Sequence, residues 1–257
     1  MKEKLRFYRE FSDDFEIAPD QDMKLPEDYE YIRNDVMSKL KSKIIYALAV
    51  VFGGLYVRLF LHVKYKNRKV LKEAKSCGFF LYGNHTQPVG DVFIPALAVL
   101  PKRIYTVVSP ANFSLPVIGK ILPYLGALPL AYTPKGMKKF TEAMEERLKD
   151  DKVITVYPEA HVWEYFTDIR PFPEGAFRYP VKFSRPSFSM TVTYQKKRIG
   201  RKPKAVVFID GPFYPDESLS PRMRAKDLRD RIYETMVMRS KASNLRYIEY
   251  IKKESTD

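Results

Sequence analysis

The stretch Phe79-Phe-Leu-Tyr-Gly-Asn-His-Thr-Gln-Pro-Val-Gly-Asp91 decides how the rest of the chain is read. Phe79 to Tyr82 are apolar or aromatic throughout and read as a short buried strand. They run into Gly83, Asn84 and His85, and an apolar, helix-like segment follows from Val92 to Leu100. A His at the exit of a core strand, with an Asp six positions on and Gly and Pro between, has the layout of a base and its orienter. Imidazole titrates near neutrality, and a carboxylate on its far nitrogen fixes the tautomer and stabilises the charged ring. The same residues also fit a loop histidine that caps the next helix.

Downstream of this stretch the chain alternates elements. Arg103 to Ser109 reads as a strand, and Ser114 to Leu122 as a short helix with Pro116 near its start. Ala127 to Ala131 is a strand and Pro134 to Lys149 a helix, with Met137, Phe140, Met144 and Leu148 along one face. Val153 to Tyr157 is a fully apolar strand that ends in Pro-Glu. Phe188 to Tyr194 and Ala205 to Ile209 are two more strands, and Pro221 to Lys253 reads as a long helix or two. Leu228, Ile232, Met236, Leu245, Ile248 and Ile251 are its expected inward positions. Continuous apolar strands separated by helices predict an α/β fold, a mostly parallel sheet flanked by helices. Ligands in such sheets sit beyond the carboxyl ends of the strands. His85 follows one strand end and Glu159 another, which places both at one candidate site.

Upstream, the chain divides at two changes of composition. Residues 1–40 form an acidic arm; within 1–35 there are six Lys/Arg against eleven Asp/Glu. The arm has no sustained period and is expected to lie on the surface as extended chain or short helices. Residues 41–75 hold an uncharged run from Ile44 to Val57, extended past Arg58 by Leu59 to Val63. That run is short of the roughly 20 residues a spanning helix needs, so a buried or interfacial helix fits it better. Arg58, Lys64, Lys66, Arg68, Lys69, Lys72 and Lys75 follow, opposed by Glu73 alone. An apolar helix joined to a polybasic segment is the pattern of a chain resting on an anionic phospholipid surface. A core helix followed by solvated charges has the same pattern. Residues 76–257 make the remaining α/β domain.

Composition narrows the function. The chain has 257 residues, ample for a buried core, and its single Cys, Cys77, excludes an intrachain disulfide framework. Three His and one Cys argue against a structural zinc site, and the polar first 40 residues show no cleavable signal peptide. The net charge of +14 favours anionic partners. Lys196 to Lys204 carries six basic residues, but no helix-turn-helix, zinc finger or aromatic stacking motif accompanies it. A solvated hairpin loop near a membrane is the simpler account, and no nucleic-acid partner is expected.

The motifs, in order, resemble those of the glycerolipid acyltransferase family that includes the bacterial lysophosphatidate acyltransferases. That family's Asn-His-x4-Asp is answered by Asn84-His85 and Asp91, with one residue more in the spacing. Its Pro-x-Ile-Gly...Gly resembles Pro116-Val-Ile-Gly119 and Gly126. Its Phe-Pro-Glu-Gly-Thr-Arg is answered by Tyr157-Pro158-Glu159-Ala160-His161, where the Gly-Thr-Arg tail is missing. Phe172 with Gly175 is similar to the Phe-x-x-Gly that follows, and the resemblance spans residues 76 to about 215. It implies an acyltransferase that moves a fatty acyl group to the hydroxyl of a lysophospholipid, foremost lysophosphatidate. His85 would be the general base and Asp91 its orienter. Asn84, Glu159 and His161 would contact substrate, and Arg170 or Arg178 would take the acceptor phosphate, though neither arginine stands at a motif position. No resident cofactor or metal is implied; acyl-CoA or acyl-ACP (acyl carrier protein) would be co-substrate. The expected location is the cytoplasmic face of the cell membrane, peripheral or monotopic. The alternative is a non-catalytic lipid- or membrane-binding protein on the same fold.

Overall fold

Phe79 to Gly83, buried along their whole length, form the central strand of a seven-stranded sheet. The computed structural model describes residues 4–16, 18–200 and 202–253. In chain order the elements are β1 (Lys4–Tyr8), α1 (Val36–Leu59), β2 (Lys64–Lys66), β3 (Phe79–Gly83), α2 (Gly90–Val99), β4 (Ile104–Val108) and α3 (Ile118–Leu125). There follow β5 (Ala127–Pro129), α4 (Pro134–Lys149), β6 (Val153–Val156), α5 (Arg178–Phe183), β7 (Ser187–Gln195), β8 (Lys204–Phe213), α6 (Pro221–Ser240) and β9 (Ile248–Lys252).

The large sheet has the order β2-β8-β7-β3-β6-β4-β5, and every neighbouring pair is parallel except the β7–β8 hairpin. Alternate residues of β3 serve its two faces. Phe79 and Leu81 pack with Ile94 and Val99 of α2 and Val57 of α1. Phe80 and Tyr82 pack with Phe140 and Leu148 of α4 and Ile232 of α6. The connection leaving β3 runs through α2 to β4, and the one leaving β6 runs through α5 to β7 on the opposite side. β3 and β6 therefore flank a topological switch point, where the crevice beyond the carboxyl ends receives ligands.

Helix α4 forms over the residues its periodicity predicts, with the Thr133 hydroxyl capping the Gly136 amide at 3.1 Å. Helix α1 is longer than its uncharged run. Asp35 caps the Ser38 amide at 2.8 Å, so the helix starts at Val36 and runs 24 residues. Lys39, Lys41 and Lys43 keep their charged heads on the exposed side. The helix is long and apolar enough to cross a bilayer. Its inner face nevertheless packs on α2 and α3, while Leu40, Ile44, Leu48, Phe52, Leu55 and Leu59 form an exposed stripe. The expected choice between buried and interfacial is thus narrowed: the helix is not a core helix.

One further expectation is corrected, and two are sharpened. The basic segment after α1 does not continue along it. β2 runs antiparallel to β3, and Arg68 donates to the carbonyls of Ala98 and Leu100 at the far end of α2. Lys69, Lys72 and Lys75 therefore lie at the amino end of β3, away from His85. The last helix stops at Ser240, and Ile248–Lys252 is a strand instead. That strand pairs in parallel with Lys4–Tyr8, so the extended surface arm is anchored by backbone hydrogen bonds. Arg201, one of the six basic residues of the Lys196–Lys204 run, lies outside the described residues.

Close packing of α1 on α2 depends on Gly53, where an added Cβ would come within 2.2 Å of the Phe93 ring. Gly53→Val is expected to cost about 1–3 kcal/mol of unfolding free energy by overpacking. Phe93→Ala in the same chain should recover part of that loss. Chemical denaturation of the two single variants and the double variant measures it; strict additivity would show that the two positions do not touch.

Candidate active site

Strand β3 can end beside an aromatic ring because Gly83 has no side chain. A Cβ there would sit 2.7 Å from Tyr157, which leaves β6 next door. The Tyr157 ring lies against His85, with centroids 4.4 Å apart and planes 17° from parallel, and its hydroxyl donates to the Asp91 carbonyl at 2.6 Å. Burial, with Asp91 nearby, holds the Tyr157 phenol well above its ordinary pKa, so it stays a neutral donor.

The longer spacing between His85 and Asp91 is taken up by a turn. Helix α2 begins only at Gly90, and residues 86–89 wrap back around the carboxylate that opens the helix. Oδ2 of Asp91 accepts from His85 Nδ1 at 2.7 Å, from the Thr86 amide at 2.9 Å and from the Gln87 amide at 2.9 Å. A carboxylate in the first turn of a helix also gains from the helix dipole. Because Oδ2 can only accept, the ring proton lies on Nδ1 and the lone pair on Nε2. Nε2 makes no hydrogen bond among the described residues, and the His85 side chain is 20% exposed. Such a ring can take a proton from a hydroxyl that reaches it.

Glu159 follows β6 and binds the site from the other side. Its Oε2 accepts from the His85 amide at 3.0 Å and from Arg170 Nη2 at 3.0 Å, and its Oε1 from the Arg170 amide at 2.9 Å. Arg170 is 1% exposed. Its guanidinium also donates to the carbonyls of His161 and Phe11 and stacks on Trp163, 4.8 Å from the ring centre. Trp163 is wholly buried and gives its indole hydrogen to the Asp13 carbonyl at 2.8 Å. A second polar group holds the turn from behind. The Tyr194 hydroxyl meets Thr86 Oγ1 at 2.7 Å and receives Gln87 Nε2 at 3.0 Å.

The structure thus brings His85, Asp91, Glu159 and Arg170 together, and it gives Asn84, His161 and Arg178 other surroundings. Asn84 does not face a ligand: its amide exchanges two hydrogen bonds with the Val192 backbone, at 3.0 and 2.8 Å, clamping β3 to β7. Arg170 is too enclosed to meet a phosphate, because its charge is spent on Glu159. Arg178 is exposed on α5, with no ion pair among the described residues. His161 lies near Glu159 and pairs with Asp14 of the arm at 3.2 Å, a carboxylate that its sequence neighbours do not supply. The arm residues Phe11, Asp13 and Asp14 are not legible as site residues, since they meet Arg170, Trp163 and His161 from the far end of the chain. Tyr157 carried one signal, a phenol where the resembling motif has phenylalanine.

Residues 62–195 match the family described as Acyltransferase. Among solved structures, the chain is similar to the 1-acyl-sn-glycerophosphate (LPA) acyltransferase PlsC from Thermotoga maritima, at 18% identity and a TM-score of 0.55. The likeness covers 82% of this chain and 85% of that one, and it shows a shared fold. No curated protein sequence matches the chain.

Glu159→Gln leaves Arg170 charged and buried with a neutral partner. It is expected to destabilise the protein by about 3–5 kcal/mol, the cost of breaking a buried pair from one side. Denaturant titration reads this directly. A change below about 1 kcal/mol would place the pair among exposed bridges of little weight.

Proposed function

This chain belongs to the acyltransferase family, and from that premise we propose that it acylates the hydroxyl of a lysophospholipid, foremost lysophosphatidate. The observation that carries the reading is the 2.7 Å contact from His85 Nδ1 to Asp91 Oδ2, with Nε2 unbonded among the described residues. The acceptor hydroxyl loses its proton to Nε2 while its oxygen attacks the thioester carbonyl of acyl-CoA or acyl-ACP. Asp91 holds the ring and stabilises the imidazolium that forms. As the tetrahedral intermediate collapses, the carbon–sulfur bond breaks and the thiol leaves with the proton returned by His85. An ester and a free thiol result, and no resident cofactor is needed. General-base help of this kind is worth about 10² to 10⁴ in rate.

Glu159 serves this reading as a positioning residue, since it fixes the His85 backbone and holds Arg170. The acceptor phosphate must then find its cation outside the buried pair, and Arg178 is the remaining candidate. The exposed stripe of α1 supports attachment to a membrane with the helix lying in the interface. Its inner face is occupied by α2 and α3, which leaves only the outer side for lipid. At about 36 Å, a helix of 24 residues offers a long apolar edge parallel to the surface. The proposed location is the cytoplasmic face, peripheral or monotopic.

His85→Ala is expected to abolish transfer from acyl-CoA or acyl-ACP to lysophosphatidate while circular dichroism stays that of the parent. Asp91→Asn should lower kcat by about 10² to 10⁴ with much less effect on KM, because orientation and charge stabilisation act in the transition state. Equal effects on both constants would remove the dyad from the mechanism. Wild-type protein that turns over no donor with any of a panel of lysolipids would leave lipid binding as the function. For the membrane, Leu48→Asp with Phe52→Asp should abolish flotation with phosphatidylcholine vesicles. Undiminished flotation would show that α1 is not the attached edge.

A further inference from the structure

The sheet topology fixes where the β7–β8 loop lies. β7 is parallel to β3, so its carboxyl end at Gln195 is the end at which His85 and Glu159 emerge. The loop that follows projects from that end and stands beside the chain just after α1. Lys197 Nζ is 3.4 Å from His62 Nδ1, and the Ala205 amide donates to the Leu61 carbonyl at 3.0 Å. Ile199, at the tip, is 86% exposed, and Phe60 at the end of α1 is exposed as well. Lys196, Arg198 and Lys202 are exposed around it, and no acidic residue occurs between Gln195 and Lys204. An isoleucine held in water within a ring of cations has no packing role in the fold. It matches the two-part chemistry of a phospholipid interface: anionic headgroups outside, acyl chains within.

We propose that this loop is a membrane contact selective for anionic phospholipid, in which Ile199 enters the interface and Lys196, Lys197, Arg198 and Lys202 hold the headgroups. The proposal rests on the membrane reading of α1 and adds a charge-selective element to it. It also reassigns the basic contact that the sequence suggests. Lys69, Lys72 and Lys75 sit at the other end of the sheet, whereas the hairpin sits at the end that opens to the acyl acceptor. Docked this way, the crevice faces the surface from which a lysolipid arrives.

The test uses the full chain with vesicles of phosphatidylcholine alone or mixed with phosphatidylglycerol. Wild type is expected to bind the mixed vesicles more tightly. Replacing Lys196, Lys197, Arg198 and Lys202 together by Ser should weaken binding to mixed vesicles at least about tenfold, and leave binding to phosphatidylcholine within about twofold, since α1 still supplies the apolar edge. Ile199→Asp, a single change on an exposed loop, should weaken binding to both kinds. A quadruple variant that keeps the full preference for anionic vesicles overturns the proposal. So does one that loses retention of RNA while its vesicle binding is unchanged, which would make the loop a nucleic-acid grip. Wild type that binds both vesicles equally overturns the loop's role alone, whereas wild type that binds neither overturns the α1 reading and this inference with it.

Discussion

One carboxylate oxygen organises the catalytic end of this molecule. Oδ2 of Asp91 receives the His85 ring and two successive backbone amides, and that convergence forces the chain between them into a turn. The turn in turn sets where α2 starts, and α2 carries Ile94 and Val99 into the core face it shares with α1. A polar contact of this kind is strong because the acceptor is ionised and its three donors are preorganised. It therefore couples the chemistry to the fold: a change that moves Asp91 moves the entry of the helix as well.

A second constraint meets the first at the His85 backbone. Glu159 reaches across from β6 to that amide and is itself held by Arg170, which is held by the arm. The histidine is thus fixed twice, at its ring by the turn and at its backbone by the neighbouring strand. The Tyr157 ring covers its face, and the phenol, kept neutral by burial, ties the ring to Asp91. The cost is that Arg170 is withdrawn from solvent, which shifts any recognition of an acceptor phosphate onto other cations.

How far the sequence revealed this depends on the range of each interaction. His85 and Asp91 were legible because they are six residues apart and flank a strand–turn–helix with Pro and Gly in the turn. The central strands were legible because burial on both faces leaves continuous apolar runs. Helix α4 was legible to the residue, since its stripe and its Thr-Pro start agree. The length of α1 was underestimated because Lys39, Lys41 and Lys43 interrupt the apolar run but can keep their charges in water while their stems lie on the helix. Strand β9 was misread as helix because five residues, Ile-Glu-Tyr-Ile-Lys, satisfy either period. The arm's part in the site left no local trace at all, since it depends on a pairing between residues 4–8 and 248–252. Residues 64–75 read from sequence as one polybasic segment, and the direction of β2 places Lys69, Lys72 and Lys75 at the amino end of β3.

That pairing of β1 with β9 has a consequence for how the protein is made. During synthesis, residues 4–8 wait with no partner until residues 248–252 have emerged. Closing a loop of that span costs about 5 kcal/mol in chain entropy, so the belt forms only when the domain between already holds the two strands near each other. The parts that fix His85 against Asp91 and Glu159 lie within residues 85–170 and can assemble earlier. The carbonyls of Phe11 and Asp13, just beyond β1, meet Arg170 and Trp163 from the arm. The arm thus lies over a site whose reactive residues all come from residues 85–170.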